Sequence, residues 1–381
     1  MKFIHTSDWH IGRQFHNVSL LEDQRHVLDQ ILEYITSESV DALVIAGDIY
    51  DRSVPPSTAV RLLDDVLNKV CSEFNIPVIL IPGNHDSAER LGFASRQLKQ
   101  AGLHVIADFD QMMKPVVINT TEGEVYFYGI PYNDPESVRN YYEADVSSHD
   151  EAHAHLVEQI NTVKSDQQSN VLISHCFIDG AEESDSERPL SIGGADRVNF
   201  EPFTAFDYVA LGHLHSPQYK GKEFIRYSGS ILKYSFSEQN QKKGITLVEM
   251  DDSGMKSVKH LPLIPLRDMR IIEGEFSKIL EQGKVDPHNE DYVLIRLRDR
   301  HAILDPMNKL REVYPNVLKM EKPGMLETGE QQMNREKLKR GELEMFRDFF
   351  VQISGRELTE EQDEGIKQTI AELHKQEKGA A

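Results

Sequence analysis

Cysteine is scarce in this sequence. The 381 residues contain only Cys71 and Cys176, which lie far apart in the chain. Neither belongs to a Cys-x-x-Cys pair, so the sequence argues against a disulfide framework and against a zinc site made of thiolates. We expect both side chains to be reduced thiols.

Long hydrophobic runs are also absent. A helix that spans a bilayer needs about 20 consecutive apolar residues, and no stretch of this chain approaches that length. The first residues, Met1 to His5, lack the charged segment and the apolar core of a secretory signal. We therefore expect a soluble, cytoplasmic protein without membrane contact.

The sequence has few positively charged residues relative to negatively charged ones. It contains 42 Lys and Arg residues and 63 Asp and Glu residues, which gives a formal net charge of -21. Phosphate backbones are held mainly by Lys and Arg, so the composition excludes a chain that grips nucleic acid over its whole surface. A polyanionic substrate would need a local cationic surface or a partner. The chain also lacks G-x-x-x-x-G-K-[ST], which excludes ATP binding by a phosphate loop.

One segment is a local exception to the acidity. Residues 216–243 carry more Lys and Arg than Asp and Glu, with Tyr and Phe interleaved. The segment predicts either a half-buried hairpin with solvated lysines or a surface that contacts phosphate.

What the sequence does have is a series of short apolar runs rich in Val, Ile and Leu. Segments with helical apolar spacing separate the first of these runs, which predicts an α/β fold with an internal sheet flanked by helices. The length and the 39% hydrophobic content predict two or three domains. The runs are Phe3-Ile4 and residues 42–46, 78–81, 125–130, 171–174 and 208–211.

Pro262 and Pro265 mark a boundary after the last of these runs. We predict a first domain of residues 1–265, a small α/β unit of residues 266–322, a polar linker of residues 323–340 and a helical tail of residues 341–381. In the small unit we expect, in order, a strand at 269–275, a helix at 276–282, a strand at 292–297, a helix capped by Asp305 and opened by Pro306, and a strand at 316–320.

The tail predicts two amphipathic helices, the second opening with a capping box of Thr359 and Gln362. Their apolar faces need a surface to pack on, which belongs either to this chain or to another protein. The polar linker before them favours another protein.

Polar side chains follow five of the apolar runs. Ligands of α/β sheets bind beyond the carboxyl ends of the strands, so residues far apart in sequence converge there. Any one motif alone is explained by an ordinary turn or a buried imidazole, but five together favour a shared site. The segments are SDWH (7–10), GDIYD (47–51), GNHD (83–86), SHC (174–176) and GHLH (212–215).

Asp, Asn and His in this mixture suit manganese, iron or zinc better than an all-oxygen calcium site. The candidate ligands outnumber the needs of one ion, so we expect two divalent metal ions. Phosphate-cleaving sites of this kind share a carboxylate between the ions, and Asp48, on a central strand, is the candidate for that bridge.

These motifs resemble those of the metallophosphoesterase, or calcineurin-like, superfamily, which has D-x-H, G-D-x-x-D, G-N-H-D/E, a single His and G-H-x-H in this order. The resemblance implies a β-sandwich flanked by helices, with the small α/β unit as a capping domain and helices at the C-terminal end. It implies catalytic roles for His85 and Asp48, with His85 facing the substrate phosphate. Carried over by position, it implies one ion held by Asp8, His10, Asp48 and His215 and another held by Asp48, Asn84, His175 and His213.

The longer segments SDWHIGR, GDIYDRSVPP, IPGNHDS, SERPLSIGG, ALGHLH and YSGSILKYSFSE resemble the SbcD family, the nuclease subunits of bacterial SbcCD complexes. That resemblance implies a manganese-dependent DNA nuclease of recombination, replication and repair. It implies 3′–5′ exonuclease action on duplexes and endonuclease action on hairpins and single strands. Archaeal and eukaryotic relatives have His where this chain has Asp51. Any role of that His in the relatives therefore cannot be assigned to Asp51.

The same resemblance implies an SbcC-type coiled-coil ATPase partner, a heterotetramer of two nuclease and two ATPase chains, and a homodimer of the nuclease domain. Basic residues near the ligand motifs and in residues 216–243 are the candidates for DNA contact. They are Arg13, Arg52, Lys220, Lys222, Arg226 and Lys233.

Two other functions are compatible with the same motifs. A small-substrate phosphodiesterase or phosphatase uses a similar metal centre, but it has little need for residues 266–381. A non-catalytic DNA-end scaffold is disfavoured because every expected ligand is present.

Overall fold

The computed structural model describes residues 1–120, 123–187, 196–251, 254–299, 301–322, 343, 346–347, 350 and 356–379. The chain divides into two compact units, Met1–Met269 and Arg270–Ala381. The first unit carries all of the predicted metal ligands.

The first unit contains strands from β1 to β16 and helices from α1 to α7. The strands are β1 (Lys2–Thr6), β2 (Gln14–Phe15), β3 (Val18–Ser19), β4 (Ala42–Ala46), β5 (Val78–Ile81), β6 (Leu103–Val105), β7 (Val116–Thr120), β8 (Gly123–Ile130), β9 (Ser169–His175), β10 (Phe177–Ile178), β11 (Arg197–Val198), β12 (Tyr208–Gly212), β13 (Gln218–Lys220), β14 (Lys222–Tyr227), β15 (Gly244–Asp251) and β16 (Gly254–Pro262). The helices are α1 (Leu21–Ser37), α2 (Ser57–Asn68), α3 (Ala88–Leu91), α4 (Ser95–Leu98), α5 (Phe109–Met112), α6 (Pro135–Tyr142) and α7 (His149–Val163).

Two six-stranded sheets form the body of this unit, in the orders β16-β15-β1-β4-β5-β6 and β13-β14-β12-β9-β8-β7. In the first sheet β1, β4, β5 and β6 are parallel, and the β15–β16 hairpin extends the edge at β1 with antiparallel strands. In the second sheet β8, β9, β12 and β14 are parallel, and β7 and β13 are antiparallel at the edges. The predicted α/β class is confirmed, as is each predicted strand of this unit.

The main core lies between the two sheets. The ring of Phe3 on β1 meets the rings of Phe127 on β8 and Tyr208 on β12 edge to face, with centroids 5.4 and 5.6 Å apart. Helix α7 packs on the other face of the second sheet, where Leu156 and Ile160 join that sheet's outer core. Layers of helix and sheet therefore cover both faces of the second sheet, as expected for a flanked sandwich.

We expect Phe127→Ala to lower the free energy of unfolding by about 3–5 kcal/mol, because it would leave a cavity between the sheets. Urea unfolding of the full chain measures this. Phe93→Ala is the control, since the Phe93 side chain is 79% exposed, and it should change the free energy of unfolding by no more than about 0.5 kcal/mol. Equal losses in the two variants would contradict the position assigned to Phe127.

The second unit is built from β17 (Met269–Gly274), α8 (Phe276–Gly283), β18 (Tyr292–Leu297), α9 (Pro306–Arg311), β19 (Val317–Glu321) and α10 (Glu360–Gly379). Its sheet has the order β17-β18-β19, and Ile279 and Leu310 of the helices pack with Val293 and Ile295 of β18. These elements agree with the predicted ones.

Asp305 is a partial exception. It stands at the N-cap position of α9, but its side chain makes no capping hydrogen bond to the helix backbone. Its φ of 49° is left-handed, and its Oδ2 accepts instead from Nδ2 of Asn308 at 3.0 Å. The prediction that Asp305 caps this helix was therefore wrong about the side-chain bond.

The predicted capping box at the start of α10 is confirmed. The amide of Thr359 donates to Oε1 of Gln362 at 3.1 Å, and the amide of Gln362 donates to Oγ1 of Thr359 at 3.3 Å. The predicted linker and most of the first tail helix lie outside the described residues. Among the described helices, none has the length and apolar content needed to cross a membrane.

Candidate metal centre

The polar motifs converge where the carboxyl ends of strands from both sheets meet. The loops after β1 and β4 are joined by backbone hydrogen bonds, from the amide of Asp8 to the carbonyl of Gly47 at 3.1 Å and from the amide of His10 to the carbonyl of Asp48 at 2.9 Å. The end of β9 is joined to β4 by His175, whose Nδ1 lies 2.9 Å from the carbonyl oxygen of Ala46. The two sheets thus contribute to one site.

Close approach of the sheets at this point depends on Gly212, the last residue of β12. A Cβ there would lie 1.8 Å from the carbonyl oxygen of Ala46 and 2.8 Å from Nδ1 of His175. Any side chain at position 212 would therefore push β12 away from β4 and displace the histidines that follow it.

Four of the predicted ligands adopt a left-handed backbone. The φ angles are 52° for Asp8, 45° for His10, 51° for Asp48 and 103° for His213. Such conformations cost about 1–3 kcal/mol for a residue with a Cβ and persist only where the surrounding structure enforces them. Four such residues lie together at the strand ends. This indicates that the fold accepts the cost of backbone strain in order to orient these side chains toward one site.

One half of the centre is formed by Asp8, His10 and His215. Their ligand atoms all lie within 4.8 Å of one another, and Nε2 of His10 is 3.1 Å from Nε2 of His215. All three side chains are buried. Burial, together with the neighbouring His215, holds the pKa of His10 well below its ordinary value. His10 is therefore neutral, which is the form that binds a metal.

The other half is formed by Asn84, His175 and His213. Oδ1 of Asn84 lies 3.0 Å from Nε2 of His175 and 3.2 Å from Nδ1 of His213. Burial lowers the pKa of both histidines, so both rings are neutral. Because Nδ1 of His175 donates to the carbonyl of Ala46, its Nε2 carries a lone pair and faces an acceptor oxygen. A cation between them would satisfy both groups.

Asp48 lies between these halves. Its Oδ2 is 3.6 Å from Nε2 of His10 and 3.6 Å from Nε2 of His175, and its Oδ1 accepts from the amide of His85 at 2.9 Å. Burial, and then the Asp48 carboxylate, raise the pKa of Asp8 well above its usual value. A divalent cation would remove this repulsion between two buried carboxylates. The donor set therefore fits a pair of divalent ions.

His85 is half-buried and lies beside the centre. Its Nδ1 is 2.8 Å from the backbone oxygen of Asp51, and its ring centroid is 4.7 Å from that of His10. Since Nδ1 is engaged with a backbone acceptor, Nε2 is the nitrogen that can contact a bound phosphate.

Comparison with known proteins bears on the family of this chain. Residues 1–217 match the family described as calcineurin-like phosphoesterase, and residues 265–353 match the family described as type 5 capsule protein repressor C-terminal domain. The SbcD component of the nuclease SbcCD from Staphylococcus epidermidis is 34% identical over 97% of this chain and 98% of its own length. The corresponding SbcCD component of Staphylococcus saprophyticus is 36% identical over 98% of each chain. This chain belongs to the SbcD family.

As a member of the SbcD family, the chain is a metal-dependent phosphodiester hydrolase. Three similar solved structures share only 11–14% sequence identity with this chain. A dimetal phosphatase from Danio rerio is 11% identical, with a TM-score of 0.41 over 70% of this chain and 99% of that chain. The family assignment therefore rests on the sequence relatives.

Asp86 is part of this SbcD-family site, although sequence reasoning gave it no role. Its carboxylate accepts from the amides of Ile49 at 3.0 Å, Tyr50 at 2.9 Å and Gly83 at 2.9 Å. These bonds join the loop that carries Asp48 to the loop that carries Asn84. The only sequence signal for this role was the position of Asp86 as the last residue of GNHD.

The predicted DNA-contact residues near the centre differ in exposure. Arg52 has a side chain that is 57% exposed, with Nη2 4.0 Å from Oδ2 of Asp51. The side chain of Arg13 is only 15% exposed, lies 3.2 Å from Oδ1 of Asp51 and stacks on the ring of Tyr234 at 4.9 Å. Arg52 is therefore the more accessible of the two cations.

The basic segment 216–243 does not act as one surface. Lys220, Lys222 and Arg226 lie on the β13–β14 hairpin at the edge of the second sheet. Lys233 pairs with Asp268 at 2.8 Å, and Lys243 is buried against Glu238 at 2.5 Å. The hairpin agrees with one of the two interpretations of this segment, but the interpretation of Lys243 as a solvated lysine or a phosphate contact was wrong.

Proposed function

We propose that this chain is the nuclease subunit of an SbcCD-type complex and hydrolyses DNA phosphodiester bonds with two divalent metal ions, manganese for preference. The carboxylate of Asp48 carries this proposal, since Oδ2 lies 3.6 Å from an imidazole nitrogen of each half. Asp8, His10, Asp48 and His215 would hold one ion, and Asp48, Asn84, His175 and His213 the other.

The mechanism divides between the ions and the side chains. When bound, a pair of divalent cations supplies a nucleophilic oxygen at neutral pH and offsets the charge that develops on the phosphate. His85 is held by its Nδ1 on the backbone oxygen of Asp51. In its protonated form it would donate from Nε2 to the phosphate or the leaving oxygen, which is general acid catalysis.

For substrates, we propose 3′–5′ exonuclease action on duplex ends and endonuclease action on hairpins and single strands, in DNA recombination, replication and repair. The partner would be an SbcC-type coiled-coil ATPase in the cytoplasm, in a heterotetramer of two nuclease and two ATPase chains built on a nuclease homodimer. Support comes from the names of the two staphylococcal relatives, which this chain matches over 98% of their length. The net charge of -21 is consistent with a nuclease that needs a partner to hold DNA.

We propose a division of labour along the chain. Residues 1–265 would cut, residues 266–322 would cap the DNA, residues 323–340 would be the linker and residues 341–381 would dock on the base of the coiled coil. The boundary between the two compact units, after Met269, supports a division near residue 265. The capped helix α10 supports a helical tail.

The test is a nuclease assay on a hairpin duplex in manganese, with and without the ATPase partner and ATP. We expect manganese-dependent cleavage by the chain and altered access to the hairpin when partner and ATP are added. Turnover of a cyclic nucleotide without cleavage of any DNA would instead support the small-substrate phosphodiesterase. Binding of DNA ends without hydrolysis in any divalent metal would support the scaffold.

Arg52→Ala should weaken binding of duplex DNA, because it removes an exposed cation beside the proposed centre. Losing one phosphate contact should reduce the slope of log affinity against log salt by about 1. Fluorescence anisotropy in calcium from about 50 to 200 mM salt measures this slope. The control is Lys256→Ala, since Lys256 lies beside Met1 and Lys2 at the opposite end of β1. An unchanged slope for Arg52→Ala would exclude Arg52 from phosphate contact.

A further inference from the structure

His215 is backed by a polar cluster that the proposed function leaves unassigned. Ser186 and Glu238 lie beside its Nδ1 atom, and Glu187 and Lys243 contact its backbone. Glu238 is 0% exposed and Lys243 6% exposed, and Nζ of Lys243 lies 2.5 Å from Oε2 of Glu238. Burying an ion pair costs several kcal/mol per ion before pairing. A buried pair of this kind beside a candidate metal ligand therefore indicates a role in holding that ligand.

Counting protons along this cluster places a proton on Nδ1 of His215. Oγ of Ser186 lies 2.6 Å from Nδ1 of His215 and makes a short hydrogen bond to Oε1 of Glu238. The carboxylate paired with Lys243 can only accept, so the single hydroxyl proton of Ser186 goes to Glu238. Oγ then accepts from Nδ1–H of His215, and in a neutral ring, the form that binds a metal, Nε2 keeps its lone pair.

The backbone of His215 is held by the same cluster. Its amide donates to Oε1 of Glu187 at 2.8 Å, and its carbonyl oxygen accepts from Nζ of Lys243 at 2.8 Å. His215 is therefore fixed at its amide, its carbonyl and one ring nitrogen. Its Nε2 is the atom that faces Nε2 of His10, 3.1 Å away.

We propose that Ser186 and Glu238 are positioning residues for His215, which fix the tautomer and the ring orientation that direct an unprotonated Nε2 at one ion of the pair. Groups that accept the second N–H of a ligating histidine do this in metal sites generally, and their loss typically weakens metal binding about 10–100-fold. The inference rests on the proposed two-metal centre, and it concerns only the ion that His215 would hold.

The test is calorimetric titration of the full chain with manganese chloride. The wild type should bind two ions. Ser186→Ala should bind one of them about 10–100-fold more weakly and leave the other unchanged, while the melting temperature of the metal-free chain stays at the wild-type value. Ser186→Thr keeps the hydroxyl and should restore the affinity. Glu238→Gln should weaken binding of the same ion. The amide of the new side chain can donate to Oγ of Ser186, so the Ser186 hydroxyl would donate to Nδ1 of His215 and the proton of the ring would move to Nε2.

Ser237→Ala is the matched control. Oγ of Ser237 accepts from the amide of Asp185 at 3.1 Å, so this serine joins the same two segments without touching His215. It should bind both ions as the wild type does. Wild-type affinity for both ions in Ser186→Ala and Glu238→Gln would overturn the inference, as would a lower melting temperature without any change in affinity. If instead the wild type binds no pair of ions, or His215→Ala binds both normally, the proposed centre itself fails.

Discussion

Asp48→Asn is expected to lose both metal ions and, with them, DNA cleavage. The substitution keeps the size of the side chain and an oxygen that can accept from the amide of His85. In the wild type this amide lies 2.9 Å from Oδ1 of Asp48. It removes the negative charge that lies within 3.6 Å of both halves of the centre. Loss of several kcal/mol of charge stabilisation corresponds to a fall of roughly 10³-fold or more in rate.

The measurement pairs metal content by mass spectrometry with cleavage of a hairpin duplex in manganese. Asp145→Asn is the matched control, because Asp145 is exposed, and it should keep both ions and full activity. Retention of two manganese ions by Asp48→Asn would contradict the role of Asp48 as a shared ligand.

His85→Leu should have the opposite combination of effects, with metal retained and cleavage lost. His85 approaches the centre through its ring, but Nδ1 is committed to the backbone oxygen of Asp51 at 2.8 Å. Removing a general acid typically costs about 10² to 10⁴-fold in rate. We expect a fall in kcat of that size at unchanged manganese content.

His26→Leu controls for the loss of an imidazole elsewhere in the first unit, since His26 lies on α1. It should retain metal and activity. If His85→Leu and Asp48→Asn lose metal to the same extent, the separation of a substrate-facing histidine from the ligands is wrong.

The strands of the sandwich were predictable, but their division into two sheets was not. Apolar runs such as residues 42–46 and 171–174 look alike in sequence because both are buried on two faces. Which strands pair depends on long-range packing that periodicity does not report. The sequence therefore predicted a flanked sheet, and only the resemblance to known families indicated a sandwich.

Strand β16 was not predicted for a different reason. Strand β16 exposes Lys256, Ser257, Lys259 and His260 along one edge of its sheet, so it has no apolar run. Edge strands of this kind are stabilised by pairing with their neighbour, here β15 over eight residue pairs. Apolar runs alone therefore do not indicate strands of this kind.

For the site, motif order predicted which side chains converge, but not how they are held. The left-handed φ of Asp8 and His10 follows from the tertiary structure rather than from local propensity. Ser186 and Glu238 are 52 residues apart. They belong to the segments SERPLSIGG and YSGSILKYSFSE, but neither segment indicates that the two side chains meet beside His215. Lys243 was misjudged because a lysine in a basic segment is usually solvated, and only the structure shows its buried partner.

The most direct test of this account is anomalous diffraction at the manganese edge from crystals of the full chain soaked in manganese chloride. We expect two peaks roughly 3.5–4 Å apart, one on each side of the Asp48 carboxylate. One peak should be contacted by His10 and His215, and the other by Asn84 and His175. A single peak, or ions bound away from Asp48, would contradict it.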